Sequence, residues 1–183
     1  MQLLMSETAL LVIDMMNTYQ HEDAEPLAAN VADIVDPLAK LISRARKRDD
    51  VDVIYVNDNY GDFNADFEDI VDAARHGERP DLVKPVAPDK DNMRVLKVRH
   101  SAFYASSLDY LLGRLKTQRL IITGQVTEQC ILYSALDAYV RHFSFVVPPD
   151  CVAQIDSELG DAALTMMNKN MHAELVPAEE CLR

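Results

Sequence analysis

The stretch "LIITGQVTEQCILYSALDAY", residues 120–139, passes from an apolar run into a helix-period segment with one glycine, Gly124, at the join. The run before the glycine reads as a strand buried on both faces. After it, apolar residues at helical spacing read as an amphipathic helix from about Thr127 to His142. Strand, tight turn and helix in that order form the unit from which parallel sheets with helical crossovers are built. The stretch also places a cysteine, Cys130, in the helix's first turn. With Thr127 as the cap, Cys130 takes the third helical position, where a capping box holds Glu or Gln.

The same alternation extends outward in both directions. "ALLVID" (9–14), "VDVIYVND" (51–58), "RVLKV" (94–98), "FSFVVP" (143–148) and "AELVP" (173–177) read as further strands. Between them lie helical segments at 27–48, with Pro37 set to kink or divide it, at 64–77, at 105–118 and at about 156–169. Ser106 or Ser107 is the expected cap of the third of these. The proline-rich region 78–93 reads as surface loop. Six strands with helical crossovers predict a single α/β domain over residues 1–183. Its expected form is a Rossmann-like three-layer α/β/α arrangement around a six-stranded parallel sheet. In such sheets ligands bind beyond the carboxyl ends of the strands, where strand order reverses.

Composition removes several classes of function. With 183 residues, 49% of them hydrophobic, the chain can bury one real core. Its net charge of −12 leaves no general footprint for nucleic acid or an anionic membrane. No apolar run approaches the ~20 residues of a membrane-spanning helix. The start, "MQLLMSETALLVID", lacks the basic residues of a secretory leader, and the first cation is Lys40. Three widely spaced cysteines, Cys130, Cys151 and Cys181, suit a reducing compartment, so a cytoplasmic location is expected. The five glycines are scattered, so neither GxGxxG nor a P-loop can be written with them. No cofactor is expected.

Three polar residues stand where apolar ones are expected, each near the end of a different strand. Cys130 faces the unpaired amides of a helix N-terminus, which can lower a thiol pKa from ~8.5 to roughly 3.5–7.5; alternatively it is a small apolar residue against the sheet. Asp14 is a turn cap or a functional carboxylate. Lys97 interrupts an apolar strand, so it either guards an edge or has a buried acidic partner. Together, an acid, a lysine and a thiol at one end of a sheet form a nucleophilic site.

On the motifs "LLVIDMMNTY" (10–19), "KVRHSAF" (97–103) and "GQVTEQCILYSALDA" (124–138), the chain resembles the isochorismatase-like cysteine hydrolases. That superfamily includes nicotinamidases, carbamoylsarcosine amidases and other small-amide hydrolases. The resemblance implies a catalytic Asp14, Lys97 and Cys130 and a cis peptide between Gln125 and Val126. It also implies an oxyanion hole from the Val126 and Cys130 amides, with Gly124 easing a tight approach, and a homodimer or homotetramer. The expected partner is a small-molecule substrate. Members that hydrolyse the vinyl ether of isochorismate lack the cysteine, so Cys130 points to amides or related C–N bonds. Vinyl-ether hydrolysis and a non-catalytic ligand-binding role remain as alternatives. Nicotinamidases carry an Asp/His/His metal site after the second strand. Here "VNDNYGDF" (56–63) offers Asp58 with Asn59 and Tyr60, so no metal is expected. Pocket candidates are Asn17, Tyr19, Asn57, Asn59, Arg99, His100, Phe103 and Tyr104.

Overall fold

A computed structural model describes residues 7–183. Strands β1 (Thr8–Ile13), β2 (Val51–Asp58), β3 (Met93–Lys97), β4 (Arg119–Gln125), β5 (Ser144–Val146) and β6 (Val152–Ala153) form one parallel sheet. Helices α1 (Ala24–Ala45), α2 (Phe67–Arg75), α3 (Pro80–Val83), α4 (Leu108–Leu115), α5 (Leu132–Val140) and α6 (Ser157–Met171) connect and cover it. Among the described residues, no helix is long and apolar enough to cross a membrane.

The strand order is β3-β2-β1-β4-β5. The chain builds outward from β1 to β3, then returns to the other side of β1 to lay down β4. The reversal leaves a crevice at the carboxyl ends of β1 and β4. Alternation along β1 explains the two layers. Leu10 and Val12 join one core cluster with α1 and α2, while Ala9, Leu11 and Ile13 join another with α4, α5 and α6. A strand covered on both sides has no polar face to show, which is why it reads as an unbroken apolar run.

Local signals are kept in most places. Asp66 caps α2 through a complete capping box with Asp69. Pro37 lies inside α1, which is one unbroken helix of 22 residues, so the proline does not divide it. The Ser106 hydroxyl accepts from the Leu108 amide at the start of α4, while Ser107 occupies the cap position without a side-chain bond. The region 78–93 is not all loop, for it contains α3 and a 3-10 turn over Lys84–Val86.

Two expectations are corrected. "AELVP" is not a strand: of these residues Glu174 alone pairs with the sheet, in a single bridge to Val146. The sixth strand is instead the two-residue β6, which pairs with Gly124 and Gln125. It takes the same edge of β4 that β5 occupies further back, at Arg119–Ile121. Two residues carry no periodicity, so only the contact itself defines this strand. The helix after β4 also begins differently. Residues Thr127–Ile131 form a π-helical turn, Val126 holds the cap position, and the buried Thr127 hydroxyl caps nothing and finds no hydrogen-bond partner among the described residues. Glu128 reaches away from its own helix, accepting from the Ile155 and Asp156 amides at the start of α6.

Candidate active site

Gly124 sets the geometry between β4 and β1. Its φ is +113°, and a Cβ at that position would lie 2.0 Å from the Ile13 carbonyl oxygen. Only glycine allows both the backbone angle and this approach. The Gln125–Val126 peptide that follows is cis. The Val126 carbonyl then accepts from the amides of Gln129 and Ile131, which flank Cys130. The Gln125 side-chain amide donates to the Asp14 carbonyl over 2.6 Å, tying the end of β4 to the end of β1.

Asp14, just past β1, has φ +52°, a left-handed conformation that aspartate tolerates better than most residues. Its carboxylate accepts from the Asp58 amide at 2.7 Å and pairs with Lys97 Nζ at 2.9 Å. Lys97 closes β3, directly opposite Asp58 in the register with β2. Although β3 is an edge strand, the lysine is fully buried. Its ammonium also meets the Asp58 carboxylate at 3.1 Å, the Arg99 carbonyl at 3.0 Å and the Cys130 sulfur at 3.6 Å. An edge-guarding role is thereby excluded, because the cation points inward and is paired.

The electrostatics correct the expectation of a ready-made thiolate. Burial and the negative charge of Asp14 push the Cys130 thiol up, and Lys97 offsets only part of this. Burial likewise raises the Asp14 carboxyl, against the lowering effect of Lys97 and the hydrogen bonds it accepts. Burial alone would lower Lys97, but Asp14, the Cys130 sulfur and Asp58 outweigh it and keep the ammonium charged. The helix N-terminus is present, yet burial and Asp14 hold the thiol up. Cys130 therefore rests as a thiol.

These groups open into a cavity of about 350 Å³ lined by Asp14, Asn17, His21, Asp23, Leu27, Asp58, Tyr60, His100, Gln125, Val126, Gln129, Cys130 and Ile155. Among the described residues its wall carries three carboxylates and two imidazoles, and neither arginine nor lysine. Lys97 lies behind the wall rather than in it.

Of the pocket candidates, only Asn17 and His100 line this cavity. Tyr19 is buried beside it, its hydroxyl 3.4 Å from Gln125 Oε1. Asn57 is structural: it accepts from the Met16 amide and donates to the Met16 carbonyl, holding the segment after β1. Asn59 accepts from the Gly61 amide in the loop turn. Phe103 is core, stacked under the Arg141 guanidinium and against Phe143. Arg99 and Tyr104 line a neighbouring cavity with Ser101, Tyr133 and Asp137. These residues follow strand ends in sequence, but the chain turns them elsewhere.

The residue that sequence reading undervalued is Asp58, weighed only as a metal anchor. Its carboxylate is engaged by Lys97 and by the Tyr60 amide. Asn59 and Tyr60 supply no imidazoles, so this loop does not fit the Asp/His/His metal set. No group of three His, Cys, Asp or Glu side chains placed to hold a metal occurs among the described residues. The signal that could have found Asp58 was its place, a strand-end acid at the level of Lys97.

Comparison with known proteins is consistent across nearly the whole chain. The isochorismatase domain model matches residues 8–180. An uncharacterised isochorismatase family protein of Bacillus subtilis is 34% identical over 177 residues, covering 97% of each chain. The maleamate amidohydrolase of Pseudomonas putida is 29% identical over 166 residues, 85% of this chain and 76% of the relative. The N-carbamoylsarcosine amidase structure from Thermoplasma acidophilum shares the fold, with a TM-score of 0.76 at 22% identity, over 97% of this chain and 99% of that one. The described strands, the crevice at their carboxyl ends and these matches lead to one statement: the chain belongs to the isochorismatase family of hydrolases.

Proposed function

We propose that the protein is a cysteine hydrolase acting on a small amide or related C–N bond. The observation that carries this is the contact of one buried ammonium, Lys97 Nζ, with both the Asp14 carboxylate and the Cys130 sulfur, at 2.9 and 3.6 Å. In this reading Asp14 takes the thiol proton once substrate has displaced water from the cleft. The thiolate adds to the carbonyl carbon, and the oxyanion rests on the Val126 and Cys130 amides. The proton on Asp14 passes to the leaving nitrogen, the C–N bond breaks, and a thioester remains. Asp14 then removes a proton from water. The hydroxide releases the acid, and the sulfur regains its proton.

Wall chemistry supports an uncharged or cationic substrate over an anionic one. Two of the three carboxylates are already paired with Lys97, and among the described residues no arginine or lysine lines the cavity to hold a dicarboxylate such as isochorismate, which argues against vinyl-ether hydrolysis. The maleamate amidohydrolase and the N-carbamoylsarcosine amidase favour amide over vinyl-ether hydrolysis, though not a particular substrate charge. The test is a panel of small amides assayed for ammonia or amine release, wild type against Cys130→Ala. Turnover in the wild type and none in the variant is expected. Equal turnover in both, or hydrolysis of vinyl ethers alone, would overturn the reading.

A further inference from the structure

Three oxygens crowd the Lys97 ammonium: Asp14 Oδ2 at 2.9 Å, Arg99 O at 3.0 Å and Asp58 Oδ2 at 3.1 Å. An ammonium has three N–H donors. These three acceptors are all closer than the sulfur, which at 3.6 Å is left with a long hydrogen bond from an ammonium it shares with them. A buried thiolate with only that long, shared donor is costly to form. A further nitrogen approaches the sulfur from the cavity wall: Nδ1 of His100, at 3.8 Å.

The backbone explains why His100 is there. The Arg99 carbonyl turns in to meet Lys97 Nζ, which curls the segment after β3 over the ammonium. The next residues are pinned to α5, with the Ala102 amide donating to Ser134 Oγ and Ser101 Oγ to Asp137 Oδ2. His100 is held between these anchors, its ring resting on Tyr133 with centroids 5.5 Å apart. It lines the cleft beside Cys130.

We propose that His100 is a fourth catalytic residue, whose Nδ1–H donates to the Cys130 sulfur and stabilises the thiolate formed when Asp14 takes its proton. The Nδ1 proton stays on the ring throughout. The S–H bond breaks, the proton moves to an Asp14 oxygen, and the electron pair left on sulfur accepts the Nδ1–H. The same donor steadies the sulfur when it leaves the thioester. The inference rests on Cys130 being the nucleophile of the proposed function, but its test does not require a substrate.

The rate of Cys130 alkylation by iodoacetamide, at one fixed alkaline pH, reads thiolate formation directly. Cys130→Ala serves as the blank for the buried Cys151 and Cys181. Three variants separate donor from bulk. His100→Ala removes the donor, His100→Gln moves an amide to the place of Nε2, and His100→Asn keeps an N–H donor at the place of Nδ1. Loss of a hydrogen bond to a charged group predicts roughly tenfold slower alkylation in the Ala and Gln variants, with Asn close to wild type. Wild-type rates in all three would overturn the proposal. So would an Asn variant as slow as Ala, since the effect would then be packing on Tyr133. If the alkylation pattern holds while no amide is hydrolysed, the functional reading fails and only the His100 hydrogen bond to the Cys130 sulfur stands. If amides are hydrolysed without the pattern, the reverse is true.

Discussion

The Asp58 carboxylate lies 3.1 Å from the Lys97 ammonium, and the Asp58 amide donates to Asp14, so one residue at the end of β2 holds both other charges of the site. A buried lysine between two carboxylates is anchored more firmly than one facing a single acid. Asp58→Asn keeps the backbone donor and removes the second counter-charge. The expected result is a loss of about 1.5–3 kcal/mol in urea unfolding, the usual worth of a hydrogen bond to a charged group, with reduced turnover. Unchanged stability would mean that Asp14 and the Arg99 carbonyl suffice to anchor the lysine.

Lys97→Met should cost more, about 3–5 kcal/mol, because it leaves the Asp14 carboxylate buried and unpaired. Paired with Asp14→Asn, part of that loss should return. A double-mutant cycle checks this, and strict additivity would count against a direct Asp14–Lys97 interaction.

Gly124→Ala is expected to be among the most damaging single substitutions in the chain. The added methyl meets backbone rather than a movable side chain, 2.0 Å from Ile13 O, at a φ of +113°. A loss of roughly 4 kcal/mol or failure to accumulate as folded protein follows. A well-folded, equally stable variant would show that β1 and β4 can separate at the crevice.

Alkaline stability has a sign that can be worked out. Cys130, Cys151 and Cys181 are all held above the ordinary 9.0, chiefly by burial, Cys181 to about 11. In the unfolded chain they ionise from about that ordinary value upward. Above it the unfolded state binds fewer protons than the folded one, so stability falls as pH rises. Lys97 adds to the trend: its folded value lies above the ordinary 10.5, so its contribution is full below 10.5 and is lost as pH climbs through the folded value. The urea midpoint should therefore decline above pH 9.0, and Cys151→Ala should flatten the decline. A midpoint flat into strong alkali would contradict burial of the thiols.

Legibility in the sequence followed the range of the interactions. Asp14, Lys97 and Cys130 stood out because each breaks a local pattern that depends only on its immediate neighbours. Phe103 and Asn57 were misplaced because their positions beside strand ends did not reveal which way the chain turns them. Arg99 was misjudged differently: its backbone carbonyl, invisible to residue-type reasoning, contacts Lys97, while the residue lines the adjoining cavity rather than that of the site.

The sequence by itself determined the alternation of strands and helices, the parallel sheet and the three strand-end residues. Parallel strands covered on both faces must be continuously apolar, and crossover helices must carry a 3.6-residue stripe. Tertiary structure alone decided the two-residue β6, the clamp of Asp58 on Lys97 and the approach of His100 to sulfur. It also reversed the expected ionisation of Cys130. Each of these depends on distances between residues remote in the chain, and on how much water the folded site excludes, and neither quantity is encoded in local spacing.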